Sequence, residues 1–135
     1  PKIIMNSLDI EKRFMQYFVL WQHYTKDRTA RVNRQFTPPS DGVWWRVTFI
    51  GGINQFACMA QRPCVREVGQ VVVQFFVAEN AGTAEIKRLA DSLCQHLHGY
   101  DDVHLELLAP SIVNVTPSHG FYQINVSVPY RYLEK

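Results

Sequence analysis

Between residues 7 and 27, in 7-SLDIEKRFMQYFVLWQHYTKD-27, Ile10, Phe14, Tyr17, Phe18, Trp21 and Tyr24 recur at steps of three and four while Glu11, Lys12, Arg13, Gln16 and Gln22 fall mostly elsewhere. That period places the apolar set on one stripe of a helix. Asn6 or Ser7 caps its start, and Asp9 and Glu11 complement the positive end of the helix dipole. Leu8, Met15, Val19 and Leu20 widen the apolar arc enough to suggest contact with a second surface, another chain being one candidate.

The period then changes. The segment 25-TKDRTARVNRQFTPPSDG-42 has no apolar repeat, ends in Pro38, Pro39, Asp41 and Gly42, and reads as a long loop with a short strand near Val32. Alternating or β-branched runs follow at 43–50, 54–62 and 65–79, with Gly51, Gly52 and Asn54 placed for a hairpin turn and Gly69 for a bulge. These predict a three-strand antiparallel meander. Helical spacing returns in 83–99 through Ile86, Leu89, Ala90, Leu93 and Leu97, with Thr83 as cap and Gly99 as stop. Two or three strands close the chain over 103–133, with Ser118, His119 and Gly120 turning the last hairpin and Pro129 indicating that the final strand either runs along an edge or ends there. The expected fold is α+β: a mostly antiparallel sheet with two helices packed on one face, in a single domain spanning 1–135. The other face, with Arg46, Thr48, Gln74, Gln123, Asn125 and Ser127, is either wet or lines a hydrophilic surface built by several copies.

Composition fits one core: 47% hydrophobic and 19% charged in 135 residues leave no room for a second domain. A net charge of +2 falls short of a dedicated nucleic-acid binder, so any basic surface is local. It concentrates in the loop holding Lys26, Arg28, Arg31 and Arg34, with Arg62 and Arg66 as further candidates for phosphate contacts or ion pairs between subunits. The start, 1-PKIIMNSLDIEKR-13, lacks the order of a signal peptide, and no apolar run is long enough for a membrane span, so a cytoplasmic chain without a membrane partner is expected. Cys58, Cys64 and Cys94 form an odd set without C-x-x-C spacing; reduced thiols are expected, and neither a disulfide framework nor a zinc site.

No catalytic constellation emerges. The loop 78-AENAGTAE-85 lies between a strand and a helix, where a phosphate-binding loop would sit, but it has one glycine and two carboxylates that would repel phosphate. His96 and His98 are two residues apart, so on a helix they cannot share a metal. Asp101, Asp102 and Glu106 read as a solvated turn rather than a carboxylate site, and no nucleophile can be matched with a base. Catalytic residues, cofactor and metal are all expected to be absent.

Three strings resemble the tail terminator proteins of long-tailed bacteriophages, the lambda-type minor tail proteins, and a related group of phage proteins. They are 33-NRQFTPPSDGVWWRVTF-49, 65-VREVGQVVVQFFVAENAGTAEIKRLADSL-93 and, more weakly, 120-GFYQINVSVPYRY-132. The resemblance implies a structural virion protein at the head-proximal end of the tail. It would form a hexameric ring that caps the tail tube, stops its polymerisation and offers the surface that joins the head. The implied partners are other copies of the chain, the tail tube protein, head-tail connector proteins and phage DNA passing through the lumen without sequence recognition. Arg28, Arg31 and Arg34, with Arg62 and Arg66, are then the expected neighbour-facing or lumen-facing residues. The alternatives are another head-tail joining or tail-completion protein, or a small enzyme with an unrecognised site.

Overall fold

A computed structural model of the chain describes residues 7–31, 33–56, 65–118 and 120–133. Helix α1 (Ser7–Phe18) is followed by a single 3-10 turn and strand β1 (Thr29–Arg31). The long strands β2 (Trp44–Phe56) and β3 (Val65–Ala78) come next, then α2 (Ala84–Leu97), β4 (Leu105–Leu107), β5 (Ser111–Ser118) and β6 (Phe121–Leu133). The sheet runs β1-β2-β3-β6, and β4 and β5 share the far edge of β6, one beyond the other. All pairings are antiparallel except β1 with β2. The α+β expectation holds, with the core between the sheet and the two helices.

Alternation decides which side of each strand is buried. Val71, Val73, Phe75 and Val77 of β3 and Ile124, Val126, Val128, Tyr130 and Tyr132 of β6 face inward, where they meet Ile10, Phe14 and Phe18 of α1 and Ile86, Ala90, Leu93 and Leu97 of α2. The helices are clipped together by Tyr17 and His96. The Tyr17 hydroxyl donates to the His96 carbonyl at 2.5 Å, the His96 Nε2–H donates to the Tyr17 carbonyl at 2.8 Å, and the rings stack at 4.1 Å.

Four local expectations change. Helix α1 stops at Phe18, and a series of tight turns carries Trp21 and Tyr24 back to the core while Val19 and Leu20 stay exposed. Gly51 and Gly52 make no hairpin: β2 runs straight through them, and both oppose the single residue Gly69, a bulge between the Ile50–Gln70 and Ile53–Val68 pairs. Gly69 itself pairs in register with Tyr130, so the irregularity lies in the opposite strand. Pro129 sits in an interior strand. Its carbonyl accepts from Leu108 N–H where the chain leaves β4 for β5, so the hydrogen-bond donor proline lacks falls at the break in that edge. Gly82, at φ +87°, turns β3 into α2 as expected, but the Thr83 side chain makes no cap hydrogen bond. Val32, Cys58, Cys64 and His119 lie outside the described residues.

Candidate assembly surfaces

The basic residues do not form one patch. The Arg28 guanidinium donates to the carbonyls of Asp41 (2.8 Å) and Val43 (3.2 Å) and lies 3.6 Å from the Asp41 carboxylate, so it closes the loop 29–41 onto the start of β2. A Cβ at Gly42, which has φ +75°, would come within 2.9 Å of that guanidinium. Arg31 and Arg34 are exposed, and with Lys26 they line a depression of about 590 Å³ whose walls include Tyr24 and Phe36. None of the three makes an ion pair among the described residues. Arg66 lines a separate depression with Asp101, Asp102, His104, Glu106 and Arg131, and Arg62 lies outside the described residues. Among the described residues no group of three or more His, Cys, Asp and Glu side chains is placed to hold a metal.

Arg13 ties α1 to the β4 side. Its Nε–H donates to the Asp9 carboxylate at 2.8 Å, its other end lies 3.3 Å from Asp102, and the Tyr132 hydroxyl also donates to Asp9. Asp102 Oδ1 accepts the backbone N–H groups of His104 (2.8 Å) and Leu105 (2.7 Å), fixing the turn into β4. The Tyr132 and Arg13 hydrogen bonds hold the Asp9 carboxyl below its usual range. Burial pushes the Asp102 carboxyl up, but its two backbone donors and Arg13 outweigh that and leave it lowered as well. Burial and Asp9 together push the Tyr132 hydroxyl up to about 12.

A carboxyl depressed on folding contributes stability that is present above its unfolded pKa, about 3.9, and lost as pH falls through the folded value. The contact between α1 and the β4 turn is therefore expected to hold at neutral pH and to loosen below about pH 4. Near-ultraviolet dichroism of the aromatic stack should report the loosening, and the double substitution Asp9→Asn with Asp102→Asn should flatten that acid limb. An unchanged acid limb in the double variant contradicts the assignment.

The sheet's outer face carries polar residues as expected: Gln74 lies between Arg46 on one side and Asn125 on the other, and Ser127 donates to Gln70 at 2.6 Å. One end is aromatic instead. Trp44 stacks on Phe76 at 4.3 Å, with Phe36 at 5.4 Å and Phe121 at 5.6 Å, and the Arg46 guanidinium lies 6.0 Å from the Trp44 ring centre. Phe36 thus reaches from the long loop to the outer face of the sheet, a contact with no local sequence signal.

Two features remain without partners among the described residues. Leu8, Val19 and Leu20 of the α1 region are 63%, 41% and 71% exposed. The outer edges of β1 and β5 pair with no other strand among the described residues. An exposed apolar stripe and open strand edges are features that protein contacts use.

The comparisons with known proteins agree with that geometry. Residues 9–130 match the profile of the family described as phage tail terminator protein, and the chain belongs to that family. It is accordingly a structural component of a phage tail. One solved protein chain, 18% identical, superposes with a TM-score of 0.66 over 98% of both chains, a likeness of fold. No curated protein matches the sequence.

Proposed function

We propose that copies of this chain form a ring, expected to be a hexamer, which caps the tail tube, stops its polymerisation and presents the surface that joins the head. The observation that carries the ring is the position of the two open strand edges, β1 and β5, at opposite sides of one sheet. A closed ring needs a heterologous contact in which one patch meets a different patch of the next copy, and a sheet open at both sides supplies such a pair. The exposed α1 residues supply apolar area for the same contact or for the tube protein. Head-tail connector proteins on one side, the tail tube on the other and DNA in the lumen complete the proposed set of partners, and assembly takes place in the host cytoplasm.

The basic residues divide between two roles. Arg28 holds its own loop, whereas Arg31 and Arg34 keep their charge for a neighbour or for the lumen. Arg31→Gln together with Arg34→Gln is expected to leave the fold intact and to weaken assembly about tenfold, roughly 1.4 kcal/mol. Arg28→Gln is expected to lower stability instead. Sedimentation mass over a concentration series, with negative-stain images, measures both effects. A double variant that assembles like the unaltered chain removes Arg31 and Arg34 from the contact.

A further inference from the structure

We infer that β5 of one copy pairs with β1 of the next, so that the sheet continues from subunit to subunit around the ring. The inference rests on the ring reading and adds to it the strands, the register and the direction of the contact.

Register is the first argument. Arg31 pairs with Val47, Val47 with Val73, Val73 with Val126 and Val126 with Ile112, a single row that crosses the whole sheet from one open edge to the other. The next two rows run from Ala30 to Val113 and from Thr29 to Asn114. Thr29–Arg31 and residues 112–114 therefore stand at the same level at opposite edges. A copy placed beside another with no stagger brings these two segments together, and a contact without stagger closes on repetition rather than climbing as a helix. Direction agrees as well. β1 runs parallel to β2, β2 runs with β6, and β5 opposes β6, so β5 and a neighbouring β1 meet antiparallel.

Side chains are the second argument. Ile112 shares the row of Val126 and Val47, which face the helices, and it is 41% exposed. Arg31 occupies the other end of that row, beside a groove of about 330 Å³ lined by Leu8, Met15, Val19 and polar residues of α1. An Ile112 brought alongside Arg31 enters that groove and covers part of the exposed α1 stripe. Charge permits the same occupant. Lys26, Arg31 and Arg34 have no carboxylate partner among the described residues and repel a basic strand. The sequence of β5, 111-SIVNVTPS-118, carries no charge. β5 also lacks the lysines that soluble proteins place on open edges to block pairing, while Ile112 and Val113 lie bare on its two sides.

Directly opposed residues on one face of an antiparallel pair have Cβ atoms about 4.5–5.5 Å apart, within reach of a disulfide after slight adjustment. The test is the double variant Arg31→Cys with Ile112→Cys, oxidised mildly and run on a non-reducing denaturing gel beside each single variant. A ladder of covalent multimers ending at the ring size, found only in the double variant, is the expected result. Rings present by mass without that ladder overturn the strand pairing and leave the ring reading standing. A chain that stays monomeric at all concentrations and with tail tubes present overturns both. Ile112→Lys provides an independent check. It is expected to keep the dichroism and melting of the unaltered chain and to weaken assembly at least tenfold; undiminished assembly contradicts the pairing.

Discussion

Trp45→Ala is expected to destabilise the fold by about 3–5 kcal/mol, a large share of the stability of a domain of this size. Trp45 is 1% exposed and sits at the meeting point of β1, β2 and the turn after α1. Its ring lies 5.3 Å from Trp21 and 5.8 Å from Phe75, so truncation opens a cavity among aromatic rings that cannot collapse into it. The indole N–H also donates to Thr29 Oγ at 2.7 Å, and Thr29 Oγ donates to the Thr25 carbonyl at 2.8 Å, a chain that anchors β1. Trp45→Phe keeps most of the packing and loses the hydrogen bond, so a loss of about 1–2 kcal/mol is expected there. Urea denaturation of the two variants measures the difference. A loss under about 1 kcal/mol in Trp45→Ala would show that β1 is held by something else.

Gly69→Ala is expected to cost about 3 kcal/mol although it adds a single methyl group. A Cβ at this position would lie 2.6 Å from the Tyr130 hydroxyl, 2.8 Å from the ring carbon that bears it and 2.7 Å from the Ile50 carbonyl. The tyrosine cannot move away freely, because its hydroxyl donates at 2.7 Å to the buried Glu67 carboxylate. Nor can the Ile50 carbonyl, which belongs to the backbone at the bulge. Relief by moving Tyr130 leaves a buried carboxylate without its donor, a further penalty of about 1–3 kcal/mol. Burial, with Glu67 beside it, also holds the Tyr130 hydroxyl protonated well above the usual tyrosine range. Pairing Gly69→Ala with Tyr130→Phe in a double-mutant cycle should give a non-additive result. Additive losses would place the strain at Ile50 alone.

Much of the fold was legible because its signals are periodic and local. Val71, Val73, Phe75 and Val77 alternate, and Ile86, Ala90, Leu93 and Leu97 recur at helical spacing; each set is buried as its period requires. The misread features depend on distant partners. Two adjacent glycines mark either a turn or a bulge, and what decides here is that β3 is long enough to pair with β2 on both sides of Gly51 and Gly52. Val19 and Leu20 continue the apolar pattern of α1, but the chain turns there so that Trp21 can reach Trp45 and donate to Ser92 at 3.1 Å. Pro129 is tolerated inside the sheet because two short strands divide that edge of β6.

The candidate surfaces were less legible for the same reason. Arg28 stands in the basic loop like Arg31 and Arg34, and only the carbonyls of Asp41 and Val43, thirteen and fifteen residues on, set it apart. That β1 and residues 112–114 of β5 stand at the same level on opposite edges is a property of four successive pairings, and no local pattern encodes it. The family resemblance is carried by the strings at 33–49, 65–93 and 120–132, and the match over residues 9–130 extends it to nearly the whole chain.

The most direct test of a tube-capping ring is the length distribution of tail tubes grown in vitro from purified tube protein, with and without this protein, measured by electron microscopy. The account predicts that tubes stop growing once the protein is added, with a ring of extra density at one end of each. Tubes that keep lengthening with the protein in excess, or protein found bound only to the portal side of heads, would contradict it.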